Sequence, residues 1–167
     1  MRADSALELG SATNGAKAGL VAGVPYGIIE AIIAYLALIS MKQTIISTIA
    51  GKLPASTTLT ANQVFDIALL VTPVIVVIGG VIGGLILGAI YGWLFEKIPG
   101  GKALNKGMIF GIILWFLLSV LLGIGNLQDG VGYYLAQLGS GLFTALLFGL
   151  LLGYFYGRFS APKELPT

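Results

Sequence analysis

Residues 79–92 read Gly-Gly-Val-Ile-Gly-Gly-Leu-Ile-Leu-Gly-Ala-Ile-Tyr-Gly and lie inside an apolar run, residues 67–95, that contains no charged side chain. This run exceeds the ~20 residues that a helix needs to cross the ~30 Å hydrocarbon core of a bilayer. Glycine recurs in it at every fourth position, at Gly80, Gly84, Gly88 and Gly92. Because residues four apart lie on the same face of a helix, the pattern predicts a membrane-spanning helix with one face almost free of side chains.

The composition of the whole chain indicates a membrane protein. Hydrophobic residues make up 57% of the 167 residues, a further 25 residues are glycines, and only 10% are charged. An average soluble domain has ~25% charged residues, and a water-solvated globule of this size could not bury so much apolar surface. The sequence therefore predicts an integral membrane protein, with residues 1–167 forming a single domain.

Histidine and cysteine are both absent from the sequence. Their absence removes the usual ligands of haem, zinc, copper and iron–sulfur clusters, and the Ser-His and Cys-His pairs of nucleophilic catalysis. The net charge is only +2, and the basic residues form no stripe that could follow the phosphates of a nucleic acid. We therefore expect no enzyme activity, no cofactor, no metal site and no nucleic-acid partner.

Three further apolar runs give an all-α fold with four transmembrane helices. The predicted spans are residues 18–41, 67–95, 108–127 and 131–159. Continuous apolar runs favour helices over a barrel, whose strands would alternate over ~10 residues.

The segments between the predicted spans also contain residues typical of helices and helix ends. Thr60 and Gln63 fit a capping box that opens the second span. In the loop before it, residues 45, 46 and 49 are isoleucines on one helical face, which is typical of a segment in the membrane interface. The turn at residues 126–130 offers Asp129 as a helix cap.

Lysine and arginine are distributed unequally between the two ends of the predicted helices. Seven of them fall on the side that holds both chain termini: Arg2, Lys17, Lys97, Lys102, Lys106, Arg158 and Lys163. Only Lys42 and Lys52 fall on the other side. Because cytoplasmic segments carry the excess of basic residues, we expect a protein of the cell membrane with both termini in the cytoplasm.

Small residues recur every four positions in the other spans as well. Such GxxxG grooves let helix backbones approach closely, and this contact drives helix association in lipid. The sequence therefore predicts glycine-zipper packing, either within one bundle or between copies of the chain. The candidate packing residues are Gly19, Gly23, Gly27, Gly80, Gly84, Gly88, Gly92, Gly149, Gly153 and Gly157.

Two segments of the sequence resemble each other. Residues 84–92 match residues 149–157 at six of nine positions, and residues 19–23 match residues 107–111 more loosely. The simplest interpretation is two tandem helical hairpins that form a parallel pseudo-repeat about an axis along the membrane normal. The alternative is that the two segments match by chance, because glycine-rich spans are built from few residue types.

Glu30 is the one acidic residue inside a predicted span, ~20 Å along the helix from Lys17. An ionised carboxylate at that depth costs at least ~2.5–3.5 kcal/mol, so we expect Glu30 to be protonated near neutral pH or to line a wet cavity. Counting from the other span ends places Thr72, Ser119 and Thr144 at a comparable depth. We therefore predict a hydrogen-bonded polar layer of Glu30, Thr72, Ser119 and Thr144.

Two functions fit these observations. The first is a non-catalytic structural or accessory subunit of a larger membrane complex, with the lipid bilayer and other membrane subunits as partners. The second is a small transporter or channel, formed by self-association, that uses Glu30 as a proton-linked or cation-linked site. The second function requires a water-accessible path to Glu30, and the first does not.

Overall fold

The structure, a computed structural model, describes residues 3–54, 56–121, 123 and 131–160. In these ranges the chain is helical and contains no sheet. The α-helices are α1 (Ala3–Ser40), α2 (Lys42–Lys52), α3 (Ala61–Leu94), α4 (Ala103–Trp115) and α5 (Val131–Ser160). α4 continues directly into a π-helical segment, Phe116–Leu121.

Four regions of these helices are long and apolar enough to cross a membrane, which confirms the predicted number. They are Ala12–Ser40, Ala61–Leu94, Ala103–Leu121 and Gln137–Ser160. The first helix begins at Ala3 rather than at residue 18, because the polar residues before the apolar run include good helix formers and no proline. The apolar run thus marks only the part of α1 that suits a bilayer.

The later boundaries also differ from the sequence expectation. α3 begins at Ala61, before the predicted start of its span at residue 67, because the capping box sets its first turn. α4 begins at Ala103 rather than at residue 108. The predicted turn at residues 126–130, with its cap Asp129, lies outside the described residues, as does most of the predicted span beyond Leu121.

The segment between α1 and α3 is more ordered than the loop expected there. Residues 42–52 form α2, which packs against α3, and the Lys42 ammonium lies 5.4 Å from the centroid of the buried Phe65 ring. The capping box at the start of α3 is confirmed. The Gln63 backbone N–H donates to the Thr60 hydroxyl at 3.3 Å, and the Thr60 backbone N–H donates to the Gln63 side-chain oxygen at 2.8 Å.

The connection from α3 to α4 is a tight turn closed by two bonds to the Leu94 carbonyl, from the backbone N–H groups of Lys97 at 2.8 Å and Ile98 at 3.1 Å. Gly100 has a φ of 129°, which a residue with a Cβ rarely adopts. The turn therefore depends on glycine at this position. It brings α4 back beside the end of α3.

The helices pack in the spatial order α3, α1, α5, α4. α1 packs along α3, α4 packs along α5, and α1 contacts α5. Within the described ranges 61–94 and 103–121, α3 and α4 do not pack along their length. They are joined only near the turn that connects them.

Glycines lie where the paired helices approach most closely. A Cβ added to Gly84 would lie 2.9 Å from the Gly23 Cα, and a Cβ added to Gly80 would lie 2.7 Å from the Gly27 Cα. In the α4–α5 pair, a Cβ on Gly107 would lie 2.7 Å from the Gly153 Cα. Real Cβ atoms do not approach backbone so closely, so these helix distances require glycine.

A buried aromatic cluster holds α3, α4 and α5 together near the α3–α4 turn. Tyr91 is fully buried, with ring centroids of Phe110 at 5.3 Å and Tyr156 at 5.2 Å. Its hydroxyl donates to the Ala103 carbonyl at the start of α4, at 2.8 Å. The Tyr91 cluster therefore closes the bundle at this end.

Lys106 adds a polar bond to the same region. Its ammonium donates to the Phe95 carbonyl at 2.8 Å and lies 4.2 Å from the centroid of the Phe95 ring. The side chain is only 9% exposed. A residue of α4 thus binds one of the carbonyl groups left without an intrahelical partner at the end of α3.

Candidate ligand-binding cleft

A cleft of about 400 Å³ lies between the two helix pairs, beyond the Tyr91 cluster. All four spans contribute to its walls, because α3 and α4 separate while α1 and α5 remain in contact. The polar side chains that face it are Tyr26 and Glu30 from α1, Ser119 from the π-helical segment and Thr144 from α5.

Tyr26 lies among the polar groups of the cleft. Its side chain is close to those of both Glu30 and Thr144. Tyr26 and Glu30 are four residues apart on α1 and therefore share a face. The Tyr26 ring also meets the Phe148 ring edge-on, with centroids 5.2 Å apart. α1 and α5 thus contact each other through a pair of rings directly beside the carboxyl group.

The opposite wall is formed where α4 changes from α-helix to π-helix. The Trp115 indole N–H donates to the Leu138 carbonyl at 2.9 Å, which ties α4 to α5 and fixes the indole beside the cleft. Ser119 follows in the π-helical segment. A Cβ on Gly141 would lie 2.9 Å from the Ser119 hydroxyl oxygen, so α5 approaches Ser119 at a position without a side chain. π-helical turns occur frequently at functional sites.

α3 contributes a wall that is nearly free of side chains. Gly79 and Gly83 line the cleft, and a Cβ on either residue would have no other atom within 4 Å. Val76 and Leu87 bound this stretch. The missing side chains therefore add directly to the open space of the cleft.

Three of the four residues of the predicted polar layer face the same cleft. Glu30, Ser119 and Thr144 line it, and Thr72 does not. A Cβ on Gly27 would lie 3.1 Å from the Val77 Cα, so the register of α1 against α3 keeps Thr72 close to the depth of Glu30. Thr72 lies one helical turn before Val76, the α3 residue at that end of the cleft. The residue that sequence reasoning missed is Tyr26, although its spacing of four from Glu30 was a usable signal.

The predicted packing glycines lie at the helix contacts. Gly19, Gly23 and Gly27 of α1 lie against α3, and the backbones of Gly149 and Gly153 lie against α4. Gly157 is less tightly packed, since a Cβ there would meet only the Ala103 Cβ at 3.3 Å. Gly80, Gly84, Gly88 and Gly92 of α3 contact the glycines of α1.

Comparison with models of known protein families, with curated proteins and with solved structures found no match to this chain. Interpretation of the cleft therefore depends on its own chemistry. The cleft combines one carboxyl group, a phenol and two aliphatic hydroxyls with apolar and aromatic walls. Pockets that bind small molecules have this composition, with mostly apolar walls and a few convergent polar groups.

Proposed function

We propose that the chain is a small membrane transporter whose intramembrane cleft binds a small solute beside Glu30. The observation that carries the proposal is the convergence of Glu30, Tyr26, Ser119 and Thr144 on one cleft between all four spans. An acidic residue inside a membrane span is costly, and such residues usually mark a substrate or ion pathway.

The proposed membrane arrangement follows from the same helices. Two tandem hairpins, α1 with α3 and α4 with α5, form a parallel pseudo-repeat in which glycine-zipper contacts hold each pair together. Both termini lie in the cytoplasm, where the Tyr91 cluster closes the bundle. The cleft lies deeper in the membrane, between the two helix pairs. These pairs contact each other through α1 and α5 but not along α3 and α4.

The glycine contacts bear on the choice between the two functions considered. A subunit that docks on partners through its glycine grooves needs those grooves to be free. In this chain the glycines of α1 face α3, and those of α4 face α5, at distances that leave no room for a further helix. This observation favours the transporter over the structural or accessory subunit.

Single-cysteine labelling tests the proposed function, and the chain contains no native cysteine that would react in the background. We expect Ser119→Cys and Thr144→Cys in membrane vesicles to react with a charged, water-soluble thiol reagent. Leu117→Cys is the matched control, since Leu117 lies on the same segment as Ser119, is 45% exposed and does not line the cleft.

A wet cleft allows the thiolate to form and react, whereas a thiol in lipid stays protonated and unreactive. Equal, slow labelling of Ser119→Cys and Leu117→Cys would contradict the transporter proposal. The accessory subunit then becomes the better proposal. Gentle detergent extraction and native mass measurement would test it, since a subunit migrates with other proteins and a transporter as a 17.3 kDa chain or its oligomer.

A further inference from the structure

The charges around the cleft are unbalanced. Glu30 is the one carboxyl group that lines it, and of the residues that the structure describes no lysine or arginine does so. An ionised Glu30 therefore makes the cleft negative, and a bound anion would meet only repulsion. A bound cation would instead neutralise the carboxylate, and pairing removes much of the cost of an isolated charge at this depth.

The walls of the cleft suit an organic ligand. Its volume of about 400 Å³ falls within the ~300–1,000 Å³ of pockets that bind small organic molecules. Trp115, Tyr26 and Phe148 supply aromatic rings, and aromatic faces attract cations within ~6 Å of the ring centroid. Apolar side chains such as Val76 and Leu114 make up most of the rest.

A metal ion fits this site poorly. The described residues contain no group of three or more side chains of the kinds that hold a metal. Calcium takes six to eight oxygen ligands, whereas the cleft offers one carboxylate and a few hydroxyls. One of these hydroxyls, that of Thr144, also donates to the Gly141 carbonyl of its own helix at 3.2 Å.

We propose that the solute of this cleft is an organic monocation, such as a quaternary ammonium compound with an aromatic or alkyl body. The inference rests on the proposed function and specifies its ligand. Glu30 supplies the counter-charge, and Tyr26, one turn before it on α1, lines the cleft beside it. Trp115 is fixed by its bond to the Leu138 carbonyl, so its ring is a preformed wall for the ligand.

Benzyltrimethylammonium is the probe, and its binding to the purified full-length chain is followed through the fluorescence of Trp115. The chain has two tryptophans, so Trp93→Phe leaves Trp115 as the sole tryptophan. Trp93 is 54% exposed and lies outside the cleft, where its ring contacts Lys97. We expect a saturable change in emission with benzyltrimethylammonium and none with benzylsulfonate, which has a similar body and the opposite charge.

Glu30→Gln keeps the shape of the side chain and removes its charge. We expect it to weaken binding of benzyltrimethylammonium at least tenfold, while Asp66→Asn, which removes an exposed acid at the start of α3, leaves the affinity unchanged. Unchanged affinity in Glu30→Gln would overturn the proposal. Equal binding of the two probes by the Trp93→Phe chain would also overturn it, and this comparison does not depend on how the Glu30 variant folds.

The two proposals fail in different ways. If Ser119→Cys reacts with the charged thiol reagent but benzyltrimethylammonium does not bind, the cleft is open to water and the ligand class is wrong. If Ser119→Cys is as unreactive as Leu117→Cys, the proposed function itself is contradicted, whether or not benzyltrimethylammonium or benzylsulfonate binds.

Discussion

The two faces of α3 carry the same residue type in opposite surroundings. On one face Gly80 and Gly84 touch the backbone of α1, where an added Cβ would collide with Cα atoms. On the adjoining face Gly79 and Gly83 border the cleft, which Gly80 and Gly84 also reach, and there an added Cβ would meet nothing within 4 Å. The lack of a side chain thus brings two helices together on one face and leaves open space on the other.

The largest expected effect comes from adding one methyl group to the packed face. Gly84→Ala should destabilise the protein by about 1–3 kcal/mol, because α1 and α3 must separate to admit the Cβ. The free energy of unfolding in mixed detergent micelles, titrated with dodecyl sulfate and followed by circular dichroism, measures this.

Gly83→Ala is the matched control for that substitution. It adds the same methyl group to the same helix one residue earlier, and it should change the free energy of unfolding by less than about 0.5 kcal/mol. Equal losses in the two variants would show that the distinction between the faces is wrong.

A larger side chain on the open face should block the cleft without loss of the fold. We expect Gly83→Leu to slow the labelling of Ser119→Cys about tenfold, equal to ~1.4 kcal/mol in the barrier, because the leucine side chain occupies part of the cleft. The labelling rate in membrane vesicles is the measurement.

Ile82→Leu is the control for Gly83→Leu, since Ile82 is 56% exposed and does not line the cleft. It should leave the labelling rate unchanged. Labelling that is equally fast in Gly83→Leu would mean that the reagent reaches Ser119 by a route that does not pass α3.

A smaller effect is expected where α3 and α4 come together. Tyr91→Phe removes the hydroxyl that donates to the Ala103 carbonyl and should cost about 1 kcal/mol of unfolding free energy. Tyr154→Phe is the comparison, because Tyr154 is 50% exposed on α5. If both variants unfold at the same detergent ratio as the parent chain, the hydroxyl of Tyr91 contributes nothing to closing this end.

The sequence predicted the helices well because their signals are local. Apolar runs longer than the bilayer thickness indicated the four spans, and Thr60 with Gln63 identified the start of α3. The helices extend beyond the predicted spans. Helix propensity carries α1 back to Ala3 and α4 back to Ala103, although the apolar runs begin later.

The candidate site was only partly predictable. Counting residues along each span placed Glu30, Ser119 and Thr144 at one depth, and they do face one cleft. Thr72 lies close to the same depth, but it is one turn before Val76, where α3 ceases to line the cleft. The cleft itself depends on the separation of α3 from α4, a relation between distant segments that no local pattern of residues encodes.

The glycine rows show the same difference between what a local pattern predicts and what depends on the tertiary arrangement. Spacing alone identified the faces that pack, but a row repeating every four residues on α1 fits equally well against a row on any other span. Only the three-dimensional arrangement pairs Gly19 with Gly84 and Gly88, and Gly107 with Gly149 and Gly153.

The bond from Lys106 to the Phe95 carbonyl has a consequence for biogenesis. The end of α3 receives this partner from the following helix, so a nascent chain that has inserted only α1 and α3 still lacks it. That carbonyl must be hydrated until the first turn of α4 emerges from the ribosome and the ammonium group arrives. The end of α3 therefore acquires this polar bond only after synthesis of α4 has begun.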